Sequence, residues 1–250
     1  MLIEKRLSGI LELVEKNRSV TVAELMQKLN ASESTIRRDL NTLDAQGRLV
    51  KVHGGAIAAG SVYSTIDTEV SAKQDMNREE KLEIAKYAAS LIRPGDFVYL
   101  DAGTTTELMI DFIQQRQVVF VTNAILHAKK LSGLGIRTYI LGGEFKPVTE
   151  AIVGEEAILN LSKFNFTKGF FGSNGVNRVT GFSTPELNEA MLKKKAMERS
   201  RECYVLSDVS KFSQIAPVTF AEFDDATVIT TKIPDSSYED CRNIVEVSKL

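Results

Sequence analysis

From Asn77 onward the chain alternates short apolar runs with longer amphipathic ones, and this alternation restricts its possible folds more than any other feature. A helix presenting Leu82, Ala85, Ala89 and Ile92 on one stripe is stopped by Arg93-Pro94-Gly95-Asp96. Buried strands are then expected at 97–101 (FVYLD), 118–123 (VVFVTN), 137–143 (RTYILGG), 167–175 (TKGFFGSNG), 203–208 (CYVLSD) and 226–231 (ATVITT). Helical stretches fall at 106–115, 124–132, 151–161 and 186–200. Strand–helix–strand repetition places parallel strands in a sheet covered on both faces, an α/β class. The tail adds a closing strand near 244–247. A length of 250 residues, at roughly 150 per domain, leaves room for a second, smaller unit.

That unit lies at the start of the chain. Ile3, Leu7, Ile10, Leu11 and Val14 repeat at helical spacing, and Asn17-Arg18 ends the helix. A shorter helix runs from Val22 to Leu29 with Thr21 as its cap, and Asn30-Ala31 makes a tight turn. Ser32 caps a third helix, SESTIRRDLNTLDAQG, ended by Gly47. Ile36, Leu40 and Leu43 form its apolar stripe, while Ser34, Arg38 and Asn41 point the other way with Thr35 and Arg37 on the flanks. Hydroxyl, amide and guanidinium groups on an exposed helix suit the major groove of double-stranded DNA. The hairpin GRLVKVHGGA follows, with Gly54-Gly55 at a sharp turn and Lys51 and His53 placed beside a DNA backbone. The whole is read as a winged helix-turn-helix over residues 1–57, its helix-turn-helix core at about 20–39. In isolation an Arg-Arg pair is a solvated helix face, and His53 is equally a plain turn residue; the two-helix lead-in favours DNA contact.

Charge adds little. Residues 1–57 carry nine Lys/Arg against seven Asp/Glu, and the other 193 carry twenty-two against twenty-six. No apolar run reaches the ~20 residues that span a bilayer, and the charged start MLIEKRLSGILELVEKN is unlike a secretory signal. Two distant cysteines (Cys203, Cys241) and two histidines (His53, His127) match no metal or redox pattern. A cytoplasmic protein without metal or cofactor is expected. The stretch 58–75 lacks periodicity and reads as a linker, leaving 76–250 as the larger domain.

Ligands of parallel sheets bind beyond the carboxyl ends of the strands. There the sequence places Asp101-Ala102-Gly103-Thr104-Thr105-Thr106, Thr122-Asn123, Gly142-Gly143-Glu144, Gly172-Ser173-Asn174-Gly175 and Asp208-Val209-Ser210-Lys211. Gly103 followed by three hydroxyls at a helix start has the composition of a phosphate cradle. Lys211 offers a partner for an anion, and Asp101 or Glu189 for sugar hydroxyls; each is otherwise a surface charge. Threonine before a helix is also an ordinary cap, and Gly-Gly an ordinary turn. Lys193-Lys194-Lys195 reads as a solvated helix face. A nicotinamide site is unsupported, because Gly133-Leu134-Gly135 precedes a strand and lacks the third glycine.

VTVAELMQKLNASESTIRRDLNTLDAQGRLVKVHGGA, with its TIRRDL core and HGGA ending, resembles the N-terminal domain of the DeoR family of bacterial transcriptional repressors. LDAGTTT, VVFVTN, ILGGE, FFGSNGV, Glu189-Ala190 and LSDVSKF resemble that family's C-terminal sensor domain, which is related to ribose-5-phosphate isomerase. GFSTPELNEAM and GGEFKPVTEAIVG are similar to the fructose- and lactose-operon repressors. The resemblance implies a repressor of a carbohydrate operon, binding operator DNA and released by a phosphorylated sugar. It implies DNA binding by the segment from Val20 to Asp39 with contacts from Ser34, Thr35, Arg37 and Arg38, to which the reading of the helix and wing adds Ser32, Asn41, Lys51 and His53. Around the effector it implies Asp101, Gly103, Thr104, Thr105, Thr106, Thr122, Asn123, Gly142, Gly143, Asn174, Glu189 and Lys211. Many members carry Asp just before the strand where this chain has Asn165-Phe166-Thr167. A homodimer or homotetramer is expected, since one small domain makes too few contacts for operator specificity. Two other readings stand beside this one. A sugar-phosphate isomerase-like enzyme would use Asp101 or Glu189 as base but lacks the isomerases' glycine- and lysine-rich catalytic segment; a scaffold would only oligomerise.

Overall fold

A computed structural model describes residues 2–59, 69–234 and 236–250. The N-terminal unit is built from α1 (Ile3–Asn17), β1 (Ser19–Thr21), α2 (Val22–Leu29), α3 (Glu33–Ala45), β2 (Leu49–Val52) and β3 (Gly55–Ala58). Local chemistry sets each boundary. Arg18 turns the chain out of α1 at φ 58°, and Asn30 ends α2 in the left-handed region at φ 47°. Thr21 and Glu24 form a reciprocal capping box at the start of α2, and Ser32 caps α3. Ile10, Val14, Leu25, Ile36, Leu40, Leu43 and Leu49 pack into one dry core. A buried ion pair between Arg6 of α1 and Asp39 of α3 crosses that core. The wing is a three-stranded antiparallel sheet in the order β1-β3-β2. β1 has only three residues, too few for a periodic signal in the sequence.

The stretch expected to be a linker is partly helical: α4 (Val70–Asp75) occupies its end, and its 60–68 portion lies outside the described residues. The larger unit continues with α5 (Arg78–Ser90), β4 (Phe97–Leu100), α6 (Thr104–Ile110), β5 (Val119–Thr122), α7 (Ile125–Gly133) and β6 (Arg137–Ile140). Next come β7 (Glu144–Lys146), β8 (Ala151–Val153), α8 (Glu155–Leu161), β9 (Phe166–Gly172), β10 (Gly175–Asn177) and β11 (Gly181–Thr184). The chain closes with α9 (Leu187–Glu198), β12 (Ser200–Leu206), β13 (Val218–Ala221), β14 (Thr227–Thr230) and β15 (Ile244–Glu246).

Seven of these strands form one sheet in the order β15-β14-β12-β9-β4-β5-β6, with every neighbouring pair parallel. Alternate residues feed two cores: Tyr99, Phe171 and Val205 face one side, and Val98, Leu100, Phe170 and Leu206 the other. The chain winds outward from β4 through β5 to β6, then returns to place β9 on the other flank of β4. The winding direction therefore reverses between β4 and β9.

Two antiparallel additions were not expected. Ala151–Val153, read as the start of a helix, is a strand paired with β7; Gly154, at φ 94°, turns the chain from it into α8. β10, β11 and β13 make a small separate sheet, and the β10–β11 hairpin reaches from the large sheet to the N-terminal unit.

Candidate functional site

A cleft opens at the reversal point between β4 and β9. Asp101 to Thr105 enter it after β4, and Gly172, Ser173 and Asn174 after β9. Asn123 follows β5, Asp208 and Lys211 follow β12, and Glu189 and Lys193 come from α9. Lys73 of α4, Lys81 of α5 and Asn77 between the two helices reach in as well.

The floor is a fixed polar network. Asp101 is 1% exposed; its Oδ2 accepts the Gly172 N–H at 3.0 Å and forms an ion pair with Lys193. Lys193 also donates to the Gly172 carbonyl at 3.2 Å, so one ammonium joins the two strands at the reversal point. Burial pushes the Asp101 carboxyl above the usual carboxylate range, against the pull of the Lys193 ammonium and the Gly172 N–H. Asn123 Oδ1 accepts the Ala102 N–H at 2.8 Å, which fixes the loop entering α6. Glu189 Oε1 accepts from Lys146 Nζ at 3.0 Å, and its Oε2 from the Thr184 hydroxyl at 3.3 Å.

One side of the cleft is cationic. Lys81 is buried, and its Nζ donates to the Lys73 carbonyl. Burial pushes the Lys81 ammonium below its usual range; Asp208 opposes this, and the nearby charges of Lys211 and Lys73 reinforce it. Asp208 is oriented by Asn77 Nδ2 at 2.9 Å and the Ser210 N–H at 3.0 Å. Lys73, Lys81 and Lys211 thus line the cleft together with Asp208 and the Gly103–Thr105 segment.

Of the residues expected at an effector, Asp101, Gly103, Thr104, Thr105, Asn123, Asn174, Glu189 and Lys211 line this cleft. Thr106, Thr122, Gly142 and Gly143 do not. The Thr106 hydroxyl turns back onto the Asp101 and Gly103 carbonyls at 2.7 and 2.9 Å, and Thr122 is fully buried, capping the Ala124 N–H. Gly142 and Gly143 follow β6, the outer edge of the sheet and two strands from the reversal point. Gly143, at φ 146°, serves close packing instead: a Cβ there would meet the Val153 carbonyl at 2.6 Å.

Lys193, by its run of lysines a solvated residue, is buried, and Lys73 and Lys81 join the cleft from outside the strand-end candidates. The signals for two of them were present. Lys193 lies one turn after Glu189, and Lys81 precedes Ile84 and Ala85 by three and four positions, on the buried stripe of α5. Lys73, in aperiodic sequence, gave no signal.

His127 is buried beneath the α6 entry, where burial pushes its imidazole down to about 3. The unfolded chain therefore takes up a proton near pH 6.5 that the folded chain refuses, and stability falls as pH drops below 6.5. At pH 5 the loss is about 2 kcal/mol. His127→Gln should flatten the pH 5–7 stability profile measured by urea unfolding; an unchanged profile would show that another group governs it.

On the N-terminal unit, Ser34, Arg37, Arg38 and Asn41 lie exposed along α3, and Thr35 is half-buried. The Ser32 hydroxyl accepts the Thr35 N–H at 3.4 Å as the helix cap, and Arg37 pairs with Glu33 at 2.7 Å. Lys51 and His53 are exposed on the wing.

Family comparisons match both units. Residues 6–62 match the DeoR-like helix-turn-helix domain, and residues 76–232 the DeoR C-terminal sensor domain. The chain belongs to the DeoR family. Among its relatives is the uncharacterized HTH-type transcriptional regulator FruR of Bacillus subtilis, 42% identical over 252 residues and covering 100% of both chains. The lactose phosphotransferase system repressor of Staphylococcus aureus is 35% identical, covering 97% of this chain and 98% of its own. That of Streptococcus mutans is 33% identical, covering 93% of each. DeoR membership makes the chain a transcriptional regulator rather than an enzyme. Ribose 5-phosphate isomerase A of Methanocaldococcus jannaschii is a structural neighbour at TM-score 0.41 and 20% identity, covering 54% of this chain and 55% of its own. Among the described residues, no helix is long and apolar enough to cross a membrane, and no His/Cys/Asp/Glu cluster is placed to hold a metal.

Proposed function

We propose that this regulator represses a carbohydrate-utilisation operon and releases its operator when a phosphorylated sugar occupies the cleft between β4 and β9. The observation that carries this reading is the division of the cleft into two chemistries. Lys73, Lys81 and Lys211 beside the Gly103–Thr105 amides and hydroxyls suit a phosphate. Asp101, Asn123, Asn174 and Glu189 on the floor suit sugar hydroxyls, each offering a fixed acceptor or donor. Two of the relatives above are named as repressors of the lactose phosphotransferase system, in keeping with a sugar phosphate as effector. The operator is read by Ser34, Thr35, Arg37, Arg38 and Asn41 of α3 in the major groove, with Lys51 and His53 on the flanking backbone. Ser32 acts through its cap. Two copies reading paired half-sites supply the specificity that one winged unit lacks.

A thermal-shift screen over glucose 6-phosphate, fructose 1-phosphate, fructose 6-phosphate, galactose 6-phosphate and ribose 5-phosphate tests the reading. At least one should raise the unfolding temperature and weaken binding to a duplex selected from random sequence. Lys211→Ala should weaken the active sugar phosphate about tenfold or more, the loss of one charge-assisted hydrogen bond. Failure of every sugar phosphate at millimolar concentration to change either readout would refute the proposal.

A further inference from the structure

The β10–β11 hairpin has its root in the cleft and its tip on the DNA-binding unit. At the root, Ser173 and Asn174 lead into β10, and the Thr184 hydroxyl at the end of β11 shares its one proton between Asn174 Oδ1 at 3.2 Å and Glu189 Oε2 at 3.3 Å. At the tip, Arg178 Nη2 donates to Glu24 Oε1 at 3.0 Å, and Arg178 Nη1 donates to the Ser237 carbonyl. Val179 rests on the wing turn: its Cγ1 lies 3.0 Å from where a Cβ on Gly55 would stand.

Neither contact falls on an incidental residue. Glu24 is the capping-box carboxylate of α2, and its other oxygen accepts the Thr21 N–H at 2.8 Å and the Thr21 hydroxyl at 3.0 Å. One carboxylate therefore both starts the first helix of the helix-turn-helix and clamps it to the sensor unit. Gly54 and Gly55 shape the wing.

The hairpin between these ends is stiff. Asn177 is 1% exposed, and its Oδ1 accepts the N–H groups of Val179 and Thr180 at 2.8 and 3.1 Å. Tyr238 donates its hydroxyl to the Val176 carbonyl, and Thr219 donates to the Thr180 carbonyl at 3.0 Å. β10 is three residues long, so root and tip are about 10 Å apart at ~3.3 Å per residue. A short, cross-bonded ribbon transmits a shift at its root as a rigid body.

We propose that this hairpin, through Arg178 and Val179, couples occupancy of the cleft to the placement of the winged unit. The inference rests on the effector reading above and adds the path by which it acts: a ligand that engages Asn174 or Glu189 moves the root, and the tip repositions α2 and the wing through Glu24 and Gly54-Gly55. Arg178 is then a positioning residue that touches neither DNA nor ligand.

Two measurements on the full chain test it. In the first, binding to the selected duplex is followed with and without fructose 1-phosphate and galactose 6-phosphate. Wild type should lose roughly 5- to 150-fold in DNA affinity with the active sugar, the usual span of such couplings. Arg178→Ala combined with Val179→Ser should keep the thermal shift given by that sugar yet lose less than about twofold in DNA affinity, with Arg178→Lys in between. An undiminished factor in the double variant overturns the hairpin's role.

The second measurement needs no ligand. Thr184→Val cuts the root from Asn174 and Glu189, and should change amide hydrogen exchange at residues 20–25 and 53–56. The same substitution in the Arg178→Ala, Val179→Ser background should leave exchange in those segments as it is in that background alone. Equal responses in both backgrounds, or none in either, overturn the proposal. If wild-type DNA affinity is indifferent to both sugars, the effector reading fails, and the exchange measurement decides the hairpin alone.

Discussion

Lys193→Met is expected to destabilise the sensor unit by about 3–5 kcal/mol, the usual consequence of stripping one partner from a buried ion pair. The side chains of Lys193 and Asp101 are 8% and 2% exposed, so the carboxylate left behind is almost wholly out of contact with solvent. For a unit of this size the unfolding temperature should fall by roughly 6–20 °C. Burial already pushes Asp101 upward, and without Lys193 the folded state should hold the carboxyl protonated while the unfolded chain ionises above about pH 4. A group bound more tightly to its proton when folded loses stability as pH rises, so the deficit should be greater at pH 7 than at pH 5. Adding Asp101→Asn should recover most of the stability, because a neutral pair needs no counter-charge. It should not recover sugar-phosphate binding, since Asp101 lines the cleft. Equal stability of Lys193→Met and wild type by urea unfolding at pH 7 would show that the pair is solvated in solution.

The parallel sheet was legible because each strand is a short run that is apolar on both faces, a pattern that survives without knowledge of partners. FVYLD and VVFVTN became β4 and β5 almost to the residue. The cleft was legible in its first half for a related reason: strand ends are readable, and ligands gather there. What the linear order conceals is which ends are neighbours. Gly142 and Gly143 carry the same glycine signature as Gly103, yet β6 stands at the sheet's edge and β4 beside the reversal point. The lysines show the opposite difficulty. A lysine is normally solvated, so Lys193 reads as surface until α9 is seen to lay it against Asp101. The small β10–β11–β13 sheet was hidden by the length of its strands, three or four residues being too short for period-two patterning to stand out. The ion pair of Arg6 and Asp39 was concealed differently. Each lies at helical spacing within its own apolar stripe, between Ile3 and Ile10 and between Ile36 and Leu43. The linear order does not show that two residues 33 apart face each other.

The HGGA ending of the wing shows how a motif read as turn chemistry can be fixed by packing, and this sets the second large effect. Gly54 is in the left-handed region at φ 84°, which an alanine enters at a cost of roughly 1–2 kcal/mol. Gly55 has an ordinary strand conformation but no space: a Cβ would stand 2.0 Å from the Val20 carbonyl oxygen and 3.0 Å from Thr21 Cα. Both atoms are backbone of β1, which pairs with β3 at Thr21 and Gly55, so neither yields without opening that ladder. Gly55→Ala is therefore expected to cost about 3 kcal/mol or more, at the upper end for overpacking. A domain of fewer than 60 residues has only about 3–9 kcal/mol in total, so this cost takes from about a third to all of the winged unit's stability and opens the β1–β3 ladder that shapes the wing. The expected result is loss of binding to the selected duplex, with the sensor unit's own unfolding transition and its response to sugar phosphate retained. Gly54→Ala should weaken DNA binding far less. Were Gly55→Ala to bind DNA within twofold of wild type while Gly54→Ala did not, backbone conformation at the turn would govern the wing, and the close approach of β1 to β3 would be incidental.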